Sequence, residues 1–314
     1  MLNITIQDIY EIVREHGVSG LIERYADAVQ EWQSSFMDAE SSERMMESIT
    51  LMQQQITDKL KHSGDLYVLK SVATNSIFID CYDLKNNFRA YFFTSKEKAE
   101  EYRKKLRQEH YAVEIDQVIS GRRRAVFWAE MLRSGCGTVV LNAGNKQYVE
   151  HIGSLTEIPE YDGFAGIDHP LLNCRMNALF STYCQDLAAG KMMKGIEEEI
   201  KKYFKTGHFI TPVIYEGEID KIDHSEISFR YMFRQHTNED GILITSLPIF
   251  TDQELMNKWC EVERMENYTG CILDIESLFS IFESFKIRDA RLNWTTHCIV
   301  IDRADVLKMT QQEQ

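Results

Sequence analysis

Three stretches of this sequence hold residue types that could do chemistry. "GRRRAVFW" sets Arg122, Arg123 and Arg124 side by side in a chain of formal net charge −14. Guanidinium groups bind carboxylates and phosphates through paired N–H donors, so this run is the candidate surface for an acidic partner. The three sit near the start of a predicted helix, ahead of its apolar part, and are expected to face water. "GCGTVVLNAGNK" couples a lone thiol, Cys136, to a glycine-bearing turn in which Asn142, Gly144 and Asn145 are candidate binding residues. Its spacing is not that of a GxxxxGK[ST] phosphate loop, and its glycines flank a strand instead of joining strand to helix. Cys136 has no His or Asp in a recognisable partnering context, and burial is the usual fate of a free cysteine. "GIDHP" at 166–170, with His151 nearby, has metal-ligand residue types. Asp168 and His169 are adjacent, however, and converge poorly on one ion. A turn entering a helix with Pro170 in its first position accounts for the same letters. No catalytic set, cofactor or metal site is read from the chain.

A fourth feature occurs twice. "YFFTSKEKAEEY" at 91–102 is matched by "PIFTDQELMNKW" at 248–259, so Phe93, Thr94, Glu97 and Tyr102 pair with Phe250, Thr251, Glu254 and Trp259. The plain account is structural. Each Phe ends a strand in the core, Thr94 or Ser95 caps one helix and Thr251 opens the other. The acid suits the positive helix end, while Tyr102 and Trp259, the latter beside Leu255 and Met256, cover the sheet. The alternative is a binding edge, where free N–H groups of the helix start hold an anionic ligand.

The elements around these turns follow from periodicity. Residues up to 62 read as helical, with Met45, Ile49, Met52, Ile56 and Leu60 close to one face. From Leu66 the pattern shortens to β-branched and aromatic runs, "DLYVLKSVAT", "SIFIDCYD" and "FRAYFFT". A helix, the strand "YAVEIDQV", a second helix and "GTVVLNAGN" complete a first module. The second half repeats the order: a Met-Met helix at 191–207, three strand candidates, the helix after Thr251, "YTGCILDI", the helix "ESLFSIFESFKI" and "HCIVID". Such self-similarity implies internal duplication. The expected fold is α+β: two tandem modules, each a mixed β-sheet packed by helices, after a helical N-terminal segment. The predicted divisions are a helical segment 1–62, module 63–160, helical connector 161–206 and module 207–314.

At the paired Phe-Thr turns the chain resembles the SseB (enhanced serine sensitivity) family. The shared features are an apolar strand running into Phe-Thr-Ser/Asp, an acid in the next turn and an aromatic further along the helix. Phe93, Thr94, Ser95, Glu97 and Tyr102 match in the first module; Phe250, Thr251, Asp252, Glu254 and Trp259 match in the second. The family's apolar strand entering Asn-Pro-Gly is echoed by "GCGTVVLNAG", with Ala143 in place of Pro, whereas Val300, Ile301 and Asp302 are aligned there in the second half as a diverged loop. The resemblance implies a fold, and it supplies no catalytic residues.

Composition narrows the function classes. With 44% hydrophobic and 27% charged residues the chain is in the globular range. The charge of −14 opposes nucleic-acid backbones and membrane adhesion. Seven cysteines, an odd number with no CxxC pair, are expected to be reduced and mostly buried, and neither a basic N-terminal region nor a spanning apolar run is present. The expectation is a cytoplasmic, non-enzymatic binding or scaffold protein with a protein partner. The alternatives are a small-molecule-modifying enzyme with its site between the modules, or an immunity-type regulator of a partner enzyme.

Overall fold

A computed structural model of the protein describes residues 6–62, 65–81, 88–118, 122–142, 146–156, 170–191, 195–215, 229–237, 241–294, 299–304 and 306–307. The chain divides into two α+β units, Met1–Val72 with Ile77–Glu160, and Tyr161–Gln314 with Ala73–Ser76.

The first unit opens with α1 (Ile6–Ser34), broken at Gly17 (φ 63°, ψ −164°), and α2 (Ala39–His62). Met45, Ile49, Met52, Ile56 and Leu60 of α2 are buried at helical spacing, as the sequence pattern requires. Then come β1 (Leu66–Ser71), β2 (Ser76–Ile77), β3 (Ile79–Cys81), β4 (Phe88–Phe93), α3 (Lys96–Gln108), β5 (Val113–Val118), α4 (Arg122–Arg133), β6 (Thr138–Leu141) and β7 (Tyr148–His151). β1 pairs antiparallel with both β5 and β4, β4 pairs parallel with β6, and β6 antiparallel with β7. The strand β4 is buried on both faces, which is why "FRAYFF" is almost wholly apolar. Ala90 and Phe92 of β4 lie in a core with residues of α1, α2 and α4. Tyr91 and Phe93 lie in the opposite one with Ala99 and Leu106 of α3.

The second unit runs α5 (Pro170–Ala188), α6 (Ile196–Thr206), β8 (Phe209–Tyr215), β9 (Phe229–Tyr231), β10 (Arg234–Thr237), β11 (Leu243–Ile249), α7 (Gln253–Val262), β12 (Tyr268–Leu273), α8 (Ile275–Phe285), β13 (Asp289–Leu292) and β14 (Ile299–Asp302). Its pairings follow the same order and sense. β8 is antiparallel to β12 and bridges antiparallel to Phe250, β11 is parallel to β13, and β13 is antiparallel to β14. Residues of α5, α6 and α8 share one core with Leu247, Ile249, Ala290 and Leu292, while Met256, Trp259 and Cys260 of α7 pack with Ile210 and Phe250 on the other face. Among the described residues no helix is long and apolar enough to cross a membrane.

Candidate functional site

Both Phe-Thr turns join the central strand of a unit to its following helix, and neither Thr is the helix cap. Ser95 Oγ accepts from Lys98 N at 3.3 Å, and Asp252 Oδ1 accepts from Leu255 N at 2.9 Å. The cap is the residue after Thr in both units, which corrects the expectation for Thr251. The threonines tie the turn to the neighbouring parallel strand instead. Thr94 N and Oγ1 donate to Asn142 Oδ1 at 2.9 and 3.1 Å. Thr251 N donates to Asn293 Oδ1 at 3.1 Å. Asn142 and Asn293 each follow the last residue of their strand with φ of 49° and 51°, a left-handed conformation that Asn adopts more readily than most residues. Their own N–H groups return to Phe92 O at 2.7 Å and Ile249 O at 2.9 Å.

The two clamps then differ. In the second unit Asn177 of α5 completes the network: its Oδ1 accepts from Thr251 Oγ1 at 2.5 Å and from Asn293 Nδ2 at 3.2 Å, and its Nδ2 donates to Asp252 at 3.3 Å. In the first unit Asn142 Nδ2 is buried with no hydrogen-bond partner among the described residues. Beside it Thr94, Ser95, Lys96 and Glu97 form one wall of a cleft of about 410 Å³. The other walls are His16 to Ser19 at the break in α1, Lys59 and Leu60 of α2, and Asp65 to Tyr67. Glu97 folds onto the helix start, where its own backbone N–H and then the Ser95 hydroxyl hold its carboxyl below the usual range. Tyr102 lies further along α3 and packs on Tyr91 and Phe93 at ring distances of 4.8 and 5.6 Å. Its counterpart Trp259 is buried against Phe250 at 5.8 Å, and Glu254 pairs with Lys258 at 3.2 Å.

Arg124 corrects the reading of the arginine run as a solvent-facing surface. It is fully buried, donating from Nη1 to Leu60 O at 3.0 Å and from Nη2 to Val118 O at 3.2 Å. Trp128, one turn on, donates to the same Leu60 carbonyl at 3.3 Å. That carbonyl is in the last turn of α2, where carbonyls lack intrahelical partners, so a cation and an indole N–H together terminate the helix. Burial lowers the Arg124 pKa, opposed by the charge of Asp65. The side chains of Arg122 and Arg123, and residues Gly144, Asn145, Asp168 and His169, lie outside the described residues. Cys136 is buried, its thiol pushed up to about 12 by desolvation, which removes it as a nucleophile. His151 accepts the Gly153 N–H at 3.1 Å.

A polar chain in the second unit was not foreseen. Arg291 Nη2 donates to His236 Nε2, His236 Nδ1 lies 3.5 Å from Ser246 Oγ, and Ser246 Oγ donates to Asp289 Oδ1. An arginine can only donate, so Nε2 is the acceptor and Nδ1 carries the ring hydrogen. Ser, His and Asp meet here without forming a hydrolytic triad. Ser246 is fully buried and donates its hydroxyl hydrogen bond to the carboxylate rather than to the imidazole. No sequence motif links these four, because strand pairing alone brings β10, β11 and β13 together. Asn293 did carry a signal, the Leu-Asn pair shared by "VVLNAG" and "ARLNWT". The structure aligns β13, not Val300 to Asp302 of β14, with β6.

No family model matches the chain, and no curated protein matches it. Among solved structures, Anabaena Tic22 (protein transport) is matched at 11% identity over 74% of this chain and 85% of that one, with a TM-score of 0.19.

Proposed function

We propose that the protein is a non-enzymatic binding or scaffold protein made from a duplicated SseB-like module, and that its second unit docks a protein partner. The observation that carries this reading is an aromatic patch on that unit. Phe229 is 53% exposed and Phe285 51% exposed. The Phe285 ring nevertheless contacts Tyr231 at 5.8 Å and Phe233 at 5.1 Å, so the patch is contiguous and not a set of scattered rings. Phe229 and Tyr231 alternate onto one face of β9. Aromatic residues dominate the buried centres of protein interfaces, whereas an acidic chain repels phosphate backbones.

The fate of the chemically capable groups supports the same conclusion. The Cys136 thiol, the Ser246 hydroxyl and the Arg124 guanidinium are each spent inside a unit on its own framework. The matched strand order and the two Thr–Asn clamps support duplication of one module. Free thiols at all six described cysteines support a reducing, cytoplasmic setting. Affinity capture from the native host, with the Phe229→Ser, Phe285→Ser double variant alongside, tests the partner reading. The variant should keep its melting temperature, since both rings are half exposed, and lose a specifically captured protein. Retention of every captured protein by the double variant would refute the docking role.

A further inference from the structure

We infer that the tip of the α1–α2 hairpin in the first unit docks a basic amphipathic helix of a partner protein. Trp32, Phe36 and Met46 take its apolar face, and Glu31, Glu43 and Glu47 take its cations. This surface does not rest on the aromatic patch of the second unit. Phe36 is fully exposed, and Trp32 and Met46 are 37% and 39% exposed. Large apolar side chains exposed one at a time are ordinary on a protein surface. These three are not separate. Trp32 Nε1 donates to Ser42 Oγ at 3.2 Å, which lays the indole of α1 against the first turn of α2. Met46 stands one turn after Ser42 on the same side of α2. Phe36 follows Trp32 by four residues, and Ser35 N still donates to Glu31 O at 3.1 Å, so the last turn of α1 carries on towards it. Met37, the next residue, packs against the core, which leaves Phe36 outside.

Charge sets the chemistry of the partner. From residue 27 to residue 47 stand six acids, Asp27, Glu31, Asp38, Glu40, Glu43 and Glu47, against one cation, Arg44. Three of the acids are spent within the unit. Asp27 pairs with Lys146 at 2.8 Å, Glu40 pairs with Arg44, and Asp38 accepts from Ser41 N at 2.8 Å to hold the start of α2. Glu31, Glu43 and Glu47 have no ion pair among the described residues. Glu43 lies three residues before Met46 and Glu47 directly after it, and all three are exposed, so the acids border the apolar side chains on α2.

The same charge excludes the other occupants. Two copies meeting at this tip would bring like charges together in a chain of net charge −14. Phosphate backbones and anionic bilayers are repelled for the same reason. A basic helix satisfies both halves of the surface: its apolar stripe covers the indole, the phenyl ring and the thioether, and its flanking Lys or Arg side chains meet the three unpaired carboxylates. Trp is the residue most often found at the energetic centre of such contacts. The tip is also set in place beforehand, because the Trp32–Ser42 bond and the Ser42 N–H to Asp38 O bond, at 2.9 Å, fix the turn from within.

The probe is a synthetic amphipathic peptide of leucine and lysine, about 18 residues long and so able to hold a helix. Two control peptides exchange its lysines for glutamate or its leucines for glutamine. Titrated into the full chain, the probe should bind saturably and shift the Trp32 indole N–H resonance, which reports through its bond to Ser42, while the indoles of Trp128, Trp259 and Trp294 stay in place. Each control peptide should bind about tenfold or more weakly. Phe36→Ser removes a ring that supports nothing in the fold, so it should keep the wild-type melting temperature and weaken binding about tenfold. The Glu43→Gln, Glu47→Gln variant should weaken binding and flatten its fall with added salt. Tyr10→Ser removes another exposed aromatic of α1, before the break at Gly17, and should bind as wild type does. The Phe229→Ser, Phe285→Ser variant should also bind as wild type does, which separates this surface from that of the second unit. No saturable Trp32 shift, equal binding of either control peptide, or wild-type binding by Phe36→Ser would each overturn the assignment. Self-association of the chain that Phe36→Ser abolishes, read by analytical ultracentrifugation, would assign the tip to a second copy and overturn it as well.

Discussion

Replacing Arg124 with Met keeps most of the side-chain volume and removes only the guanidinium. Two carbonyls lose donors, and they are not equivalent. Val118 O ends β5 and loses the contact that Arg124 Nη2 makes at 3.2 Å, whereas Leu60 O keeps the Trp128 indole at 3.3 Å. Hydrogen bonds from a charged donor contribute about 1.5–3 kcal/mol each. The cation at the α2 C-terminus adds up to about 2 kcal/mol in a partly buried setting. Against these stands the desolvation of a buried charge, visible as the downward pull of burial on the Arg124 pKa. A net loss of about 3 kcal/mol is expected, equivalent to roughly 6–12 °C of melting temperature for a unit of this size. Near-UV circular dichroism follows it directly, because Trp128 shares the anchored carbonyl. Arg14, an exposed residue on α1, supplies the control: Arg14→Met should stay within about 0.5 kcal/mol of wild type. An Arg124→Met protein that melts with the Arg14→Met control would show that the guanidinium is not a structural tie.

Trp259→Ala should cost about 3–5 kcal/mol, since the indole is 3% exposed among Phe250, Met256 and Cys260; a urea midpoint unchanged from wild type would refute its packing role. His236 is held below the ordinary imidazole pKa by burial first and Arg291 second, with Asp289 pulling the other way. The folded state therefore binds fewer protons than the unfolded one, so stability is full above about pH 6.5 and falls as pH drops through that value. Urea midpoints at about pH 7.5 and 5.5 should differ less in His236→Asn than in wild type, and an identical drop in both would reject the polar chain as its source. Cys136 and Cys260, both pushed up to about 12 by burial, should resist thiol reagents at mildly alkaline pH until the chain is unfolded, leaving the part-exposed Cys174, Cys184 and Cys271 to react first.

The order of helices and strands was legible because each element announces its own burial. "FRAYFF" can only be a strand buried on both faces, and Leu278, Ile281 and Phe282 recur at the spacing of a helix with one buried stripe. Arg124 departs from its sequence expectation for the opposite reason. A charged residue at the start of a helix is exposed unless something at long range needs a donor, and Leu60 is 64 positions away from Arg124. Trp128 at i+4 was the one local hint, since an arginine and an indole on the same helical face are placed to meet one polar target.

The Thr–Asn clamps mark a sharper boundary on what local pattern reveals. Capping is a contact within a few residues, so the sequence offers Thr94 or Ser95 for that role and nothing further for Thr94. The residue it serves is Asn142, reached only because β4 and β6 run parallel with Phe92 opposite Leu141. A short polar side chain in a left-handed turn looks like punctuation in any single copy. Two matching turns change the inference, because Leu141-Asn142 and Leu292-Asn293 occupy the same register against Phe92 and Ile249. Setting the two turns side by side isolates what differs: Asn177 completes the second clamp, whereas Asn142 Nδ2 has no partner among the described residues. The first unit keeps its threonine, its asparagine and its left-handed turn with Thr94 donating twice to Asn142 Oδ1, so the tie between the two parallel strands, and not the third side chain, is what the two turns share.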